Sequence, residues 1–142
     1  MKIRDVMTFD VESAAPGTPL KRIARMMRDG DIGAVPVEDH ERLVGLVTDR
    51  DIVVRAVAEG LDERGCVAAD VMSEDVLTCF ADDDAHRIAE LMSDHQVRRL
   101  PVLDSENRVI GVVSLGDLSL RDRESAGLAL GNISQPSLGA RA

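Results

Sequence analysis

Apolar positions along the first part of the chain follow two different spacings. The i, i+3, i+4, i+7 spacing of one buried helical face is met by Leu20, Ile23, Ala24 and Met27. Two short β-type runs follow, "AVPV" and "LVGLVT", with the polar stretch "EDHER" between them. A second apolar helical face then consists of Ile52, Val53, Ala56 and Val57. The pattern predicts a unit of helix, strand, strand and helix.

Local signals bound the two predicted helices. Thr18 can cap the first helix with Pro19 at its first position, where the missing N–H costs nothing. Gly30 suits the end of that helix. The second helix is predicted to begin near Asp51 and to end at Gly60. A short extended lead-in precedes the unit.

The same pattern occurs twice. The tripeptide "DVM" at 5–7 returns at 70–72, and the Pro-Val pair at 36–37 returns at 101–102. One extra residue enters near Arg108, after which Gly45 matches Gly111 and Thr48 matches Ser114. The second copy has a helix starting at Asp83 or Asp84, strands "RLPVL" and "VIGVVS", and a last helix near Asp117. Its buried helical face is predicted to consist of Ala85, Ile88, Ala89 and Met92. Such sustained self-similarity indicates a duplication.

The size of each copy predicts how the two are arranged. A unit of about 60 residues buries too little surface to be stable alone. The two units are therefore expected to pack sheet against sheet as one α+β body with a pseudo-twofold axis. We divide the chain into a first unit, 1–62, a second unit, 63–121, and the end of the last helix with a C-terminal tail, 122–142.

Composition narrows the classes of partner. The formal net charge is −9, from 26 acidic and 17 basic side chains, which opposes binding to nucleic acid. With two phenylalanines and neither tyrosine nor tryptophan, stacking on single strands is also disfavoured. No apolar run approaches the roughly 20 residues that cross a bilayer, and the N-terminus lacks a secretion signal. Cys66 and Cys79 are isolated and predicted to be reduced. We expect a soluble cytoplasmic protein without nucleic-acid or membrane partners.

The polar stretch "TDRD" at 48–51 is the first candidate site. It can be an ordinary strand-to-helix connection in which Asp51 caps the helix and Thr48 closes a turn. It can also bind a phosphorylated ligand, because helix N-termini favour anions. In that case the Thr48 hydroxyl can donate to a phosphate oxygen, and the Asp51 carboxylate can accept from both hydroxyls of a ribose diol. The repeated placement at Ser114 and Asp117 favours the ligand site.

The duplicated unit, with a Pro-Val strand followed by "GLVTDRDI" or "GVVSLGDL", resembles a tandem pair of cystathionine-β-synthase-type (CBS) domains, the Bateman module. The resemblance covers residues 1 to about 121. It implies the fold of a CBS-domain pair, with clefts between the two units that bind adenosine-containing ligands such as AMP, ADP, ATP or S-adenosylmethionine. It also implies a homodimer, because such pairs commonly form disc-like dimers.

By position, the resemblance assigns residues to two clefts. The first cleft would contain Thr48, Arg50, Asp51, Val97 and Arg98. The second cleft would contain Ser114, Asp117, Ile32 and Gly33. Adenine would lie against Ile32 or Val97, and Gly33 would let the backbone approach closely. Because Gly116 replaces Arg50 in the second copy, we expect longer phosphates in the first cleft and a monophosphate or nothing in the second.

Arg98 and Arg99 are open to two interpretations. Arginines in the middle of a buried strand are unusual unless they meet an anion, but exposure at a sheet edge explains them almost as well.

These observations predict a non-catalytic regulatory module that senses an adenine nucleotide and signals to a separate, unidentified effector protein. The alternative is a ligand-free pair that acts only by docking or dimerisation. An enzyme is disfavoured, because the acidic run at 82–84 suits a helix start, the three histidines are scattered, and no phosphate-binding GxxxxGK[ST] loop is present. No metal or required cofactor is predicted.

Overall fold

The computed structural model describes residues 1–62 and 64–121. The strands are β1 (Thr8–Phe9), β2 (Ala34–Asp39), β3 (Arg42–Thr48), β4 (Cys79–Phe80), β5 (Arg99–Leu103) and β6 (Val109–Ser114). The helices are α1 (Leu20–Gly30), α2 (Asp49–Asp51), α3 (Ala68–Val71), α4 (Ala85–His95) and α5 (Leu115–Arg121). A 3₁₀ turn covers Ile3–Asp5, and α2 continues directly into a π-helical segment, Ile52–Val57. The α+β class and the repeated helix–strand–strand–helix order are confirmed. The predicted tail at 122–142 lies outside the described residues.

The strand pairing shows that the two units exchange segments. Each unit contains an antiparallel hairpin, β2–β3 or β5–β6. β1, which precedes α1 in the first unit, pairs with β6 of the second. The equivalent bridge joins Ser73, which precedes α4 in the second unit, to Leu46 of the first. Each lead-in therefore lies on the sheet edge of the other unit, as a pseudo-twofold axis requires.

The buried side chains form two clusters, one in each unit. Each cluster also contains residues that belong to the other unit. The second-unit core contains Ile3 and Met7 from the N-terminus. The first-unit core contains Cys66, Ala68 and Val71 from the start of the second unit. The division at residue 62 stays a prediction from the repeat. Each of the two cores contains residues from both sides of this division.

Two glycines at matching positions allow this exchange. A Cβ atom on Gly111 would lie 2.1 Å from the Thr8 carbonyl oxygen of the crossing lead-in. A Cβ atom on Gly45 would lie 2.6 Å from the Met72 sulfur and 3.1 Å from the Ser73 carbonyl oxygen. The repeated glycine is therefore explained by close packing between the units rather than by backbone freedom.

The second-unit helix follows its predicted pattern. Asp84 is the N-cap, and its carboxylate accepts a hydrogen bond from the Arg87 amide at 3.2 Å. All four residues of the predicted face are buried, namely Ala85, Ile88, Ala89 and Met92. This part of the prediction is confirmed.

The first-unit helix departs from prediction at its start and on its face. Thr18 is not the cap: its hydroxyl accepts from the Ala15 amide, and Pro19 takes the N-cap position because its carbonyl accepts the first helical hydrogen bond, from Arg22. Leu20 and Ile23 are buried and Met27 is half-buried, but Ala24 is exposed.

The end of α1 is at Gly30, as predicted. The left-handed conformation falls one residue later, on Asp31 (φ 50°), as it does on the equivalent Gln96 (φ 53°) after α4.

The second helix of the first unit departs from prediction in both its buried face and its end. Ala56 is buried and Ile52 is half-buried, but Val53 and Val57 are 58% and 70% exposed. The segment is wound as a π-helix, in which the Ala58 amide donates to the Val53 carbonyl five residues back, and it packs on the first-unit core through Ile52 and Ala56. The α-helical spacing therefore does not describe this segment. It ends at Val57, and Gly60 (φ 69°) lies in the turn beyond.

The two cysteines are free and buried in different cores. Burial and the nearby Asp83 carboxylate raise the pKa of the Cys79 thiol to about 12. Burial, with a smaller contribution from Asp70, also raises the pKa of Cys66. Within the described residues, no helix combines the length and apolar character needed to cross a bilayer.

Candidate functional site

Thr48 and Asp51 form a reciprocal capping box at the start of α2. The Thr48 amide donates to Asp51 Oδ2 at 2.9 Å, and the Asp51 amide donates to Thr48 Oγ1 at 3.1 Å. Ser114 and Asp117 repeat the arrangement at 2.9 and 3.0 Å at the start of α5. The N-cap of α2 is therefore Thr48, and Asp51 is not the N-cap but the third helical residue. The spacing of the motif thus has a structural role in both units.

The capping box leaves hydrogen-bonding capacity in the first unit. The Thr48 hydroxyl acts as an acceptor in the box, so its own proton can be donated elsewhere. Asp51 uses Oδ2 in the box, while Oδ1 lies 3.8 Å from Arg55 Nε. The Asp51 side chain is 14% exposed, so its carboxylate sits in a partly desolvated position where a charged acceptor is effective.

Both side chains open onto a cavity of about 750 Å³ between the two units. The structure brings together in it all five residues predicted for the first cleft, namely Thr48, Arg50, Asp51, Val97 and Arg98. A volume of this size lies within the roughly 300–1,000 Å³ typical of small-molecule sites. Their role in binding stays a prediction, but their grouping in one cavity is a property of the fold.

The lining of this cavity combines two kinds of side chain. Its aliphatic members are Leu46, Val76, Leu77, Val97 and Leu100. Its charged members are Arg50, Arg98 and Arg99, together with Asp51 and Asp75. This composition suits a ligand with both an apolar ring and an anionic group.

Sequence reasoning missed four further lining residues, Ser73, Asp75, Val76 and Leu77. They belong to the lead-in that crosses to the first unit through the bridge from Ser73 to Leu46. The repeat itself carried the signal, since this segment follows the second "DVM" as β1 follows the first. The sequence alone does not show that this segment crosses to the other unit, because the strand pairing defines the crossing.

Arg99 is the cationic residue that reaches across the units. It begins β5 rather than lying in mid-strand, and Arg98 precedes the strand and is exposed. Arg99 Nη1 lies 3.2 Å from the Gly33 carbonyl oxygen and 3.4 Å from Asp49 Oδ1. A Cβ atom at Gly33 would lie 2.5 Å from Arg99 Nη2. The close approach that Gly33 permits is made here by Arg99.

The residues predicted for the second cleft are distributed differently. Ile32 lines a cavity of about 540 Å³ between the β1 lead-in and α1, where Arg22 and Arg25 also lie. Ser114 and Asp117 are not among the described residues that line it. The joint second cleft therefore stays a prediction.

The three acidic side chains at 82–84 make structural contacts. Asp84 caps α4, and Asp83 accepts from the Phe80 amide at 2.8 Å. Asp82 pairs with Arg4 and Lys2, and the hydrogen bond from Arg4 lowers the pKa of its carboxyl group. Within the described ranges, no group of three or more histidine, cysteine, aspartate or glutamate side chains is arranged to hold a metal ion.

The duplicated unit, the exchanged lead-ins and the cleft between the units define a tandem CBS-domain pair. The family model for the CBS domain matches residues 3–57 and 67–122. The chain therefore belongs to the CBS-domain family, and the resemblance seen in the sequence is confirmed. As a CBS-domain pair, it is a regulatory module by class.

Relatives of similar length support this assignment. The CBS domain-containing protein YhcV of Bacillus subtilis is 37% identical over 138 residues, which cover 96% of this chain and 97% of that protein. Hypoxic response protein 1 of Mycobacterium tuberculosis is 37% identical over 117 residues, covering 82% and 81%. Both are matched over most of their length.

Two solved structures extend the comparison. The crystal structure of Hypoxic Response Protein I with two coordinated zinc ions has a TM-score of 0.75 and 34% identity, covering 85% of this chain and 98% of that one. The CBS-domain pair of protein MJ0100, in complex with 5′-methylthioadenosine and S-adenosyl-L-methionine, has a TM-score of 0.76 and 25% identity, covering 84% and 98%.

Proposed function

We propose that this CBS pair senses an adenosine-containing ligand of the AMP, ADP or ATP type in the cavity between its units and signals to a separate effector protein. The observation that carries the proposal is the first cleft itself. Aliphatic and cationic side chains line the same cavity, and Thr48 and Asp51 retain a donor and an acceptor after capping the helix. The complex of the MJ0100 pair with two adenosine-containing compounds supports this ligand class.

Each part of such a ligand has a chemically suited partner. The Asp51 carboxylate accepts from the ribose hydroxyls, and the Thr48 hydroxyl donates to a phosphate oxygen. Val97 and the other aliphatic side chains cover the adenine ring. Arg50 and Arg98 lie on the same cavity and supply positive charge for the phosphates.

The two clefts are proposed to differ in phosphate preference. Arg50 lines the first cleft, whereas the equivalent position in the second copy is Gly116. Arg98 likewise corresponds to Gly33. The first cleft therefore favours longer phosphates, and the second takes a monophosphate or none.

A second candidate function is docking without ligand, as a homodimer or onto an effector. The observation that favours it is an exposed apolar surface on and after the π-helical segment. This valine face consists of Val53, Val54, Val57 and Leu61, which are 44–70% exposed. We propose that a homodimer covers it and that the protein acts in the cytoplasm.

The proposed contact to ribose is tested with Asp51→Asn. Asparagine keeps an oxygen that can accept from the Thr48 amide, so the cap survives while the charge is lost. Calorimetry should compare ATP with 2′-deoxy-ATP, because the first cleft is proposed to favour longer phosphates. A hydrogen bond to a charged group contributes about 1.5–3 kcal/mol, or roughly a tenfold to hundredfold change in affinity. Wild type should prefer ATP by that factor, and Asp51→Asn should lose the preference.

Asp117→Asn is the matched control, because it changes the same capping box in the other unit. It should lose as little stability as Asp51→Asn and should keep the preference for ATP. Loss of the preference only in Asp117→Asn would place ATP in the second cleft and overturn the role of Asp51. If no adenosine compound binds or raises the unfolding temperature of wild type, the docking function replaces the sensing function.

A further inference from the structure

Arg99 connects the candidate cleft to the opposite unit. Arg99 lines the cavity that Thr48 and Asp51 also line. Its guanidinium is held by two groups of the first unit, the Gly33 carbonyl and the Asp49 carboxylate, at 3.2 and 3.4 Å. The Gly33 carbonyl also accepts from the Asp49 amide at 3.1 Å. One arginine of the second unit thus contacts the helix start of the first.

The duplication did not preserve this pair. In the strand registers, Arg99 lies opposite Ser114, and the equivalent Ala34 lies opposite Thr48. The position equivalent to Asp49 is Leu115, which follows Ser114 as Asp49 follows Thr48. Alanine and leucine cannot form an ion pair. The ion pair therefore forms at the first cleft, whereas the equivalent residues at the second cleft cannot form it.

The partners of Arg99 hold it weakly enough to be exchanged. Asp49 is 62% exposed, and an exposed ion pair is screened by solvent and adds little to stability. The Arg99 side chain itself is 36% exposed. Its guanidinium presents a planar fork of donors that suits a phosphate as well as a carboxylate. A phosphate placed in the cavity would compete directly with Asp49 for this group.

We propose that Arg99 determines phosphate selectivity in the first cleft and that Asp49 is its internal competitor. The proposal rests on the proposed adenosine site. Without ligand, Arg99 stays on Asp49 and on the Gly33 carbonyl. A ligand phosphate takes over the guanidinium and releases its contact with the first unit. Binding of a phosphorylated ligand is therefore linked to loss of a contact between the units, whereas binding of adenosine is not.

A double-mutant cycle with Asp49→Asn and Arg99→Gln tests the exchange. The asparagine of the first variant retains an oxygen for the present hydrogen bond with the Arg50 amide. Titration calorimetry with ATP and with adenosine should be run on both single variants, the double variant and wild type. For ATP, Arg99→Gln should weaken binding about tenfold, and Asp49→Asn should tighten it about threefold to tenfold. In the Arg99→Gln background, Asp49→Asn should have no further effect. Adenosine should bind all four proteins with the same affinity.

The cycle separates competition from a general charge effect. If Asp49→Asn tightens ATP binding equally with and without Arg99, it acts through long-range charge and the proposal is overturned. An unchanged ATP affinity in Arg99→Gln overturns it as well. The charge controls are Glu59→Gln and Arg28→Gln, at exposed positions outside this cavity, which should leave ATP binding within about twofold.

The adenosine titration keeps the two proposals distinguishable. Adenosine binding without the expected cycle would leave the proposed sensing function intact and reject the role of Arg99. If wild type binds neither adenosine nor ATP, the sensing function and the Arg99 proposal are both rejected.

Discussion

Replacement of Gly111 by alanine gives the most direct test of the exchanged architecture. The new Cβ atom would lie 2.1 Å from the Thr8 carbonyl oxygen and 2.5 Å from Met7 Cε. The normal contact distance between a carbon and a non-bonded oxygen is about 1 Å longer than the distance from this Cβ atom to the Thr8 oxygen. Because Thr8 contributes a backbone atom, the lead-in itself must move. A movement of this size breaks the pairing of β1 with β6.

The expected cost follows from what the lead-in contributes. Overpacking in a close-packed interior costs about 1–3 kcal/mol, and each lost backbone hydrogen bond adds about 1 kcal/mol. Partial exposure of Ile3 and Met7, which belong to the second-unit core, adds a similar amount. We expect a loss of about 3–5 kcal/mol in the free energy of unfolding. For a chain of this size, that corresponds to about 10–20 °C in Tm.

Three other glycines provide graded controls in the same urea and thermal unfolding experiments. Gly45→Ala should cost less, because its nearest neighbour is the flexible Met72 side chain, although the Ser73 carbonyl lies at 3.1 Å. Gly33→Ala should cost less again, because only the Arg99 guanidinium must move. Gly17→Ala should be neutral, since nothing lies within 4 Å of its Cβ position. If Gly111→Ala unfolds like Gly17→Ala, the proposed crossing of the lead-in is wrong.

Two further predictions concern the core and the valine face. The raised pKa of Cys79 means that the folded state keeps a proton that the unfolded chain releases above its ordinary pKa near 9; stability should be complete below pH 9 and fall as pH rises toward 12. Urea unfolding across this range should show a shallower fall for Cys79→Ala than for wild type, and an equal fall would remove Cys79 as a cause. Val57→Glu should convert the proposed homodimer into a monomer in analytical ultracentrifugation without lowering the monomer's stability, because Val57 is 70% exposed. Glu59→Gln in the same turn is the matched control, and a variant that stays dimeric would place the interface elsewhere.

The capping boxes show how one motif can serve both folding and binding. Thr48 and Asp51 satisfy backbone amides at the start of α2, as Ser114 and Asp117 do at the start of α5. Repetition of the motif is therefore not sufficient evidence for two ligand sites. What separates the first copy is its surroundings, in which Arg50 and Arg99 line the same cavity as the box. The comparison between ATP and 2′-deoxy-ATP is informative for this reason, since the cap alone predicts no preference.

The sequence by itself determined the elements whose causes are local. The strands β5 and β6 coincide with the predicted runs "RLPVL" and "VIGVVS". The prediction succeeds because the sequence of a buried hairpin consists of short apolar runs separated by a polar turn. The face of α4 is predicted correctly, because regular i→i+4 winding maps sequence spacing directly onto burial. Duplication and family membership were also determined, since both are properties of residue order.

The tertiary structure decided the features that depend on partners far away in the chain. The spacing of apolar residues revealed neither the exposure of Val53 and Val57 nor the π-helical winding of their segment. The crossing of the lead-ins depends on pairings such as Thr8 with Val112, and the contact of Arg99 with Asp49 joins residues 50 positions apart. Local propensities extend over only a few residues, so they specify each unit but not how one unit packs against the other. The candidate site lies between the units, which is why its motif could be found in the sequence while most of its walls could not.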